Sequence, residues 1–307
     1  MDWFESLEFS RTQECNSVIG AVKARVHREL SDMAQEINLS LTASPFREIS
    51  AEAEFYLDLI ASPMKEREAR AIPLHEGSRT TRRFGFYPVS ADPFHWGHLL
   101  IGLSAMARFQ LAKIVYIIAG HDQRKPGMTH PTARHAMGRS ILNLFTPLFE
   151  YSPVAAEEEL DGESSLFRMF ALYNDQRIHA FYLAGSDHCR RVDPVSGEAD
   201  TVQKIEGHIQ SSLYGFDGRR QRVSLLFVKR GLANCRAETR LDLLCMPGLS
   251  FDVSSTMIRQ ALAGGEAVRT LALLPHTAYL YIRALGLYAP QPVPGQKGRA
   301  RLMKRVA

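Results

Sequence analysis

The sequence predicts an α/β protein: a doubly wound, Rossmann-like parallel sheet preceded by a helical N-terminal extension. Three observations carry this. Apolar runs of strand length at 84–89, 113–119, 178–184 and 223–228 recur between segments whose apolar residues fall at helical spacing. The runs are continuous rather than alternating, the pattern of strands buried on both faces of a parallel sheet with right-handed crossovers. Residues with polar chemistry follow directly after the runs, where such a sheet places ligands.

Taken in order, residues 1 to about 45 carry Val18, Ile19, Val22, Val26, Leu30, Met33 and Ile37 at helical spacing and read as one long amphipathic helix. A second helix is expected from Ile49 to about Arg70, with Phe55, Tyr56, Leu59 and Ile60 on its apolar face and Glu52, Glu54 and Asp58 on a solvated one. Residues 71–83, with Pro73, Gly77 and Ser78, read as a linker. The division is therefore a helical extension at 1–80, an α/β domain at 81–289, and a basic tail at 290–307 too polar to order itself. Within the main domain, helices are expected at about 132–144 and 165–173, a short strand near 149–151, and a last short strand at 249–252. The extension is read as a packing appendage, a docking element or a route to self-association.

Composition narrows the function classes. Of the 307 residues, 45% are hydrophobic and 23% charged, enough apolar material for a sizeable core. No apolar run approaches the roughly 20 residues that span a bilayer, and the acidic N-terminus lacks the apolar block of a signal peptide. The four cysteines form no C-x-x-C pair, which speaks for reduced thiols and a cytoplasmic setting, and against a zinc ribbon or disulfide scaffold. A net charge of +4 suits anionic substrates but falls short of a nucleic-acid footprint.

The most informative stretch is FGFYPVSADPFHWGHL, residues 84–99: strand, tight loop, then a helix entrance carrying His95, Gly97 and His98. A helix N-terminus presents unpaired N–H groups and binds anions, phosphate above all. His95 and His98, three apart, share one face, and Gly97 lets a ligand approach the backbone. About 155 residues downstream stands Val253-Ser254-Ser255-Thr256-Met257-Ile258-Arg259, in which Ser254 or Ser255 can cap a helix with Arg259 one turn in. A zinc site from His95, His98 and Asp92, completed by His121 or His188, is the competing reading, but no H-E-x-x-H spacing is present and no resident metal is expected.

These two stretches resemble the H-x-G-H and S-S-T-x-I-R signatures of the nucleotidyltransferase superfamily. The segment 274–288, LPHTAYLYIRALGLY, is similar to the closing segment of the nicotinate- and nicotinamide-mononucleotide adenylyltransferases, and the resemblance extends over about 84–288. It implies that His95 and His98 face a triphosphate, with His98 the transition-state donor, and that Arg259 with Ser254, Ser255 and Thr256 holds the β- and γ-phosphates. It places Ser90, Asp92, Gly97 and the turn Gly185-Ser186-Asp187 at the nucleotide, with Lys125 and Arg134 near the mononucleotide and phosphates. The implied substrates are ATP with Mg²⁺ and a mononucleotide phosphate, and no membrane or nucleic acid. Two features depart from the family: Pro88 and Val89 stand where it has paired glycines, and no tryptophan follows Gly185-Ser186-Asp187. The reading is adenylyl transfer to nicotinamide or nicotinate mononucleotide. The alternatives are transfer to another phosphate ester, or a nucleotide-binding regulator without turnover.

Overall fold

The computed structural model describes residues 12–62, 81–120, 127–189, 192, 197, 199–229, 237–264 and 268–289. Its centre is a six-stranded sheet of β1 (Arg82–Val89), β2 (Lys113–Ile118), β3 (Phe149–Ser152), β4 (Ile178–Gly185), β5 (Gln221–Val228) and β6 (Asp242–Met246). The order is β3-β2-β1-β4-β5-β6 and every pairing is parallel, which is the expected doubly wound sheet. The order reverses between β1 and β4, so a crevice opens at their carboxyl ends. Val89 pairs with Ile118 and Gly185 with Val228, so the strands deliver their trailing loops at one edge.

One face of the sheet is covered by α3 (Trp96–Phe109) and α4 (Pro131–Asn143), the other by α5 (Val154–Glu157), α6 (Gly162–Leu172) and α7 (Thr201–Gln210). Local chemistry starts these helices. Pro131 sits in the first turn of α4 behind the cap His130, Asp161 accepts the Ser164 N–H in the first turn of α6, and Asp200 accepts the Thr201 N–H at the start of α7. After β6 come α8 (Ser255–Gly264), α9 (Val268–Leu271) and α10 (His276–Leu285), and α10 closes on Gly286 at φ 61°, a left-handed turn suited to glycine.

The extension is shaped differently from the expectation. The first helix, α1 (Thr12–Glu36), ends well before residue 45, because Asn38 turns left-handed at φ 51° and Ser40 and Thr42 bond each other. The second, α2 (Ser44–Ala61), begins at Ser44 with Pro45 in its first turn rather than at Ile49, and its expected continuation to Arg70 lies outside the described residues. Ile19, Val22, Val26, Leu30 and Met33 of α1, with Phe46, Ile49 and Leu57 of α2, join the same apolar cluster as α3 and α4. The apolar stripes of both helices are thus packed inside the chain, as in the appendage reading of the extension. The tail at 290–307 also lies outside the described residues.

Three further differences concern strands, helices and thiols. The last strand is Asp242–Met246, not 249–252: Pro247 offers no N–H to a ladder, and Leu249 and Phe251 pack as loop residues against the core. The helix α7 had no counterpart in the sequence reading. Cys189 is disulfide-bonded while Cys15 and Cys245 are free, so the expectation of four reduced thiols is corrected at Cys189, which no C-x-x-C spacing announces. Among the described residues no helix is long and apolar enough to cross a membrane.

Candidate active site

The turn after β1 and the start of α3 form the floor of the site. His95 is the N-cap of α3 and His98 its third residue, and the two make a reciprocal capping box. His98 Nδ1 accepts the backbone N–H of His95 at 3.2 Å, and the His95 ring accepts from the backbone of His98. The rings stack with centroids 3.8 Å apart. This geometry sets the tautomer: with Nδ1 acting as acceptor, a neutral His98 carries its proton on Nε2 and presents a donor. From behind, Tyr116 donates its hydroxyl to the His98 carbonyl at 3.0 Å.

Asp92 is the hub of the site rather than an open ligand. At 2% exposure, its Oδ2 accepts from the Thr129 N–H at 3.3 Å and its Oδ1 from the Tyr288 hydroxyl. Burial first, and the bond to Asp92 next, push the Tyr288 phenol well above its ordinary range, so it remains a donor. Arg259 Nη1 donates to the Asp92 carbonyl and lies 3.7 Å from Oδ2. Its Nη2 donates to Thr256 Oγ1 at 3.2 Å.

The second motif meets the first across this hub. Ser254, not Ser255, is the cap of α8, accepting from the Met257 N–H at 3.2 Å. Ser255 donates to the Pro93 carbonyl at 3.0 Å, so the N-termini of α3 and α8 are brought together. Gly97 is explained by this approach. A β-carbon there would stand 2.5 Å from Val253 Cγ1 and 2.9 Å from the His95 ring, so the glycine admits the second motif.

Arg134 is corrected in role. It is fully buried, and its guanidinium donates to the carbonyls of Thr129 (2.8 Å), Ser90 and Ala119 (2.7 Å each) and Gly120. It clamps the ends of β1 and β2 to the start of α4. Ser90 contributes its carbonyl to that clamp. Lys125 and His121 lie outside the described residues. Pro88, in the position of a family glycine, belongs to β1, and Gly162 at the start of α6 makes room for it: a β-carbon on Gly162 would lie 2.7 Å from Pro88 Cβ.

Gly185 ends β4, and Ser186 and Asp187 form a 3-10 turn, with Ser186 buried and Asp187 exposed. His188 sits between Asp200 (3.2 Å) and Asp187 (3.7 Å). Among the described residues no group of three or more histidine, cysteine or carboxylate side chains is arranged to hold a metal. Sequence reasoning missed Thr129 and Tyr288 as members of the site. Tyr288 had a usable signal, its place at the end of the closing segment.

No protein-family model matches the chain. A "probable nicotinate-nucleotide adenylyltransferase" of Thermoanaerobacter sp. (strain X514) is 25% identical over 212 residues, covering 67% of this chain and 94% of that protein. One of the same name from Desulfitobacterium hafniense (strain Y51) is 28% identical over 213 residues, covering 67% and 96%. A solved nicotinic acid mononucleotide adenylyltransferase of Plasmodium falciparum aligns at a TM-score of 0.46 with 14% identity, over 67% of this chain and 97% of that one. Over about two thirds of its length the chain is thus similar in sequence to proteins named probable nicotinate-nucleotide adenylyltransferase.

Proposed function

We propose that this protein is a nucleotidyltransferase that joins ATP to nicotinate or nicotinamide mononucleotide, releasing pyrophosphate and forming the dinucleotide. The observation that carries the reading is that two helix N-termini, one with His95 and His98 and one with Ser254–Arg259, are joined at the 92–93 turn through Ser255 to Pro93 and Arg259 to Asp92. The names of the sequence relatives support the pyridine mononucleotide as acceptor and favour its acid form.

The chemistry needs positioning more than a protein nucleophile. An oxygen of the mononucleotide phosphate attacks the α-phosphorus of ATP, the bond to the β-phosphate oxygen breaks, and pyrophosphate leaves with that electron pair. A phosphate monoester is already ionised near neutral pH, so no strong base is required. His98 Nε2–H and the His95 ring supply donors to the charge that builds on the transferring group, and N–H groups of α3 add to them. Arg259 and the hydroxyls of the α8 N-terminus receive the β- and γ-phosphates. Mg²⁺ would be part of the substrate, bound to ATP, and would offset phosphate charge. The nearest carboxylate, Asp92, is committed to Thr129, Tyr288 and Arg259.

The test is pyrophosphate release from Mg²⁺-ATP with each mononucleotide offered separately, with the product identified by mass. Release with one of them establishes the reaction and its acceptor. Release with neither, and with another phosphate ester instead, establishes the second reading. That reading is favoured by Pro88 and Val89 in β1 and by the lack of a tryptophan after Asp187 for ring stacking. ATP binding without release with any acceptor would identify a nucleotide-binding regulator.

A further inference from the structure

Two carboxylates of the N-terminal helices reach into the segment that carries the phosphate-side residues. Glu52 of α2 accepts the backbone N–H of Ser250 at 2.9 Å, four residues ahead of Ser254. Glu29 of α1, at 8% exposure, accepts both the N–H and the hydroxyl of Thr277, each at 2.8 Å, in the first turn of α10. Glu36, one helix face further along α1, pairs with Arg283 at 2.9 Å. Between and just beyond these anchors lie Ser254, Ser255, Thr256, Arg259 and Tyr288.

None of that segment belongs to the sheet, so no ladder sets its register against α3. Its position depends on directed side-chain contacts. Glu29 is buried and Glu52 half-buried, and covering carboxylate oxygens is an expensive way to obtain mere adhesion, because desolvation offsets much of what their bonds contribute. Glu52 makes the point: its Oε2 is buried with no hydrogen-bond partner among the described residues, while Oε1 holds Ser250. Apolar packing would hold the helices together as well, and would leave their register looser.

We infer that Glu29 and Glu52 are positioning residues for nucleotidyl transfer, holding the 250–288 segment at both ends so that Arg259 and the α8 hydroxyls face the His95 and His98 donors. The inference rests on the phosphate placement proposed above. It gives the extension a task within the site: a shift of about 1 Å in a positioned group can cost about 100-fold in rate.

The experiment compares wild type with Glu52→Asp, Glu29→Asp and Glu52→Gln in the full chain. Its readouts are calorimetric binding of Mg²⁺-pyrophosphate, kcat and KM for pyrophosphate release, and thermal unfolding. The aspartates keep the charge but withdraw the oxygen by one methylene, and should weaken pyrophosphate binding and lower kcat by about 10-fold. Glu52→Gln keeps an acceptor at full reach and should remain within about twofold of wild type. Aspartate variants that melt earlier yet bind and turn over as wild type overturn the inference. A wild type that binds pyrophosphate but transfers to neither mononucleotide overturns the acceptor reading instead, and the binding comparison then decides this one. Failure of the wild type to bind pyrophosphate overturns both.

Discussion

Tyr288 donates its hydroxyl to Asp92 Oδ1 at 2.5 Å, tying the residue that follows the last helix to the turn after the first strand, 196 positions away. Asp92 in turn holds Arg259, so three segments of the chain share one buried carboxylate. Tyr288→Phe removes only the oxygen. It should cost about 1–2 kcal/mol of stability, since the buried carboxylate loses a donor, and should lower turnover. Urea unfolding alongside pyrophosphate release checks both, and a variant equal to wild type in each would detach Tyr288 from the site.

His98→Ala removes half of a capping box and, on the reading proposed above, the donor to the transferring phosphate. Turnover should fall by at least about 100-fold, about 3 kcal/mol in the barrier. Stability should fall by only about 1 kcal/mol, the ordinary cost of a lost cap. Near-normal turnover would remove His98 from the mechanism.

Gly97→Ala places a methyl group 2.5 Å from Val253 Cγ1, where neither motif can yield without moving the other. A loss of about 1–3 kcal/mol is expected, together with weaker ATP binding. Adding Val253→Ala should return part of both, which a double-mutant cycle would quantify.

Arg134→Lys separates a clamp from a ligand. A lysine cannot reach four carbonyls from one planar fork, so unfolding should shift by about 3 kcal/mol or more. Raised KM at unchanged melting temperature would instead restore Arg134 to the phosphates.

His179 lies at the opposite edge of the sheet, its Nε2 bonded to Ser224 at 2.7 Å, and Ser224 in turn donates to Asp242 at 3.2 Å. Burial first, then Arg222 and Arg83, lower its pKa to about 4, against a smaller opposing effect of Asp242. Because the folded value lies below the unfolded 6.5, the unfolded chain takes up the proton first. Stability from this group is therefore complete above pH 6.5 and is lost as pH falls toward 4, by about 3 kcal/mol in all. Unfolding of wild type and His179→Asn at pH 7, 5.5 and 4.5 should show a shallower slope in the variant; parallel slopes would refute it.

Much of this protein is written locally. The buried strands, the capped entrance of α3 and the two phosphate-type motifs follow from short-range patterns: continuous apolar runs, a turn ahead of a helical repeat, serine before a helix. These are properties of a dozen neighbouring residues, so a linear reading finds them. The boundary errors have the same origin, since Asn38 ends α1 by a backbone conformation that its apolar periodicity does not register.

What the tertiary structure alone decided is which donors those residues face. Arg134 looks in sequence like a phosphate ligand and is spent on four carbonyls; Gly97 looks like room for a nucleotide and makes room for Val253. Glu52, assigned to a solvated face, holds Ser250 across 198 positions. A side chain's periodicity shows that it is polar, but its partner is chosen by packing between elements far apart in the chain. That packing is where the role of each residue is settled.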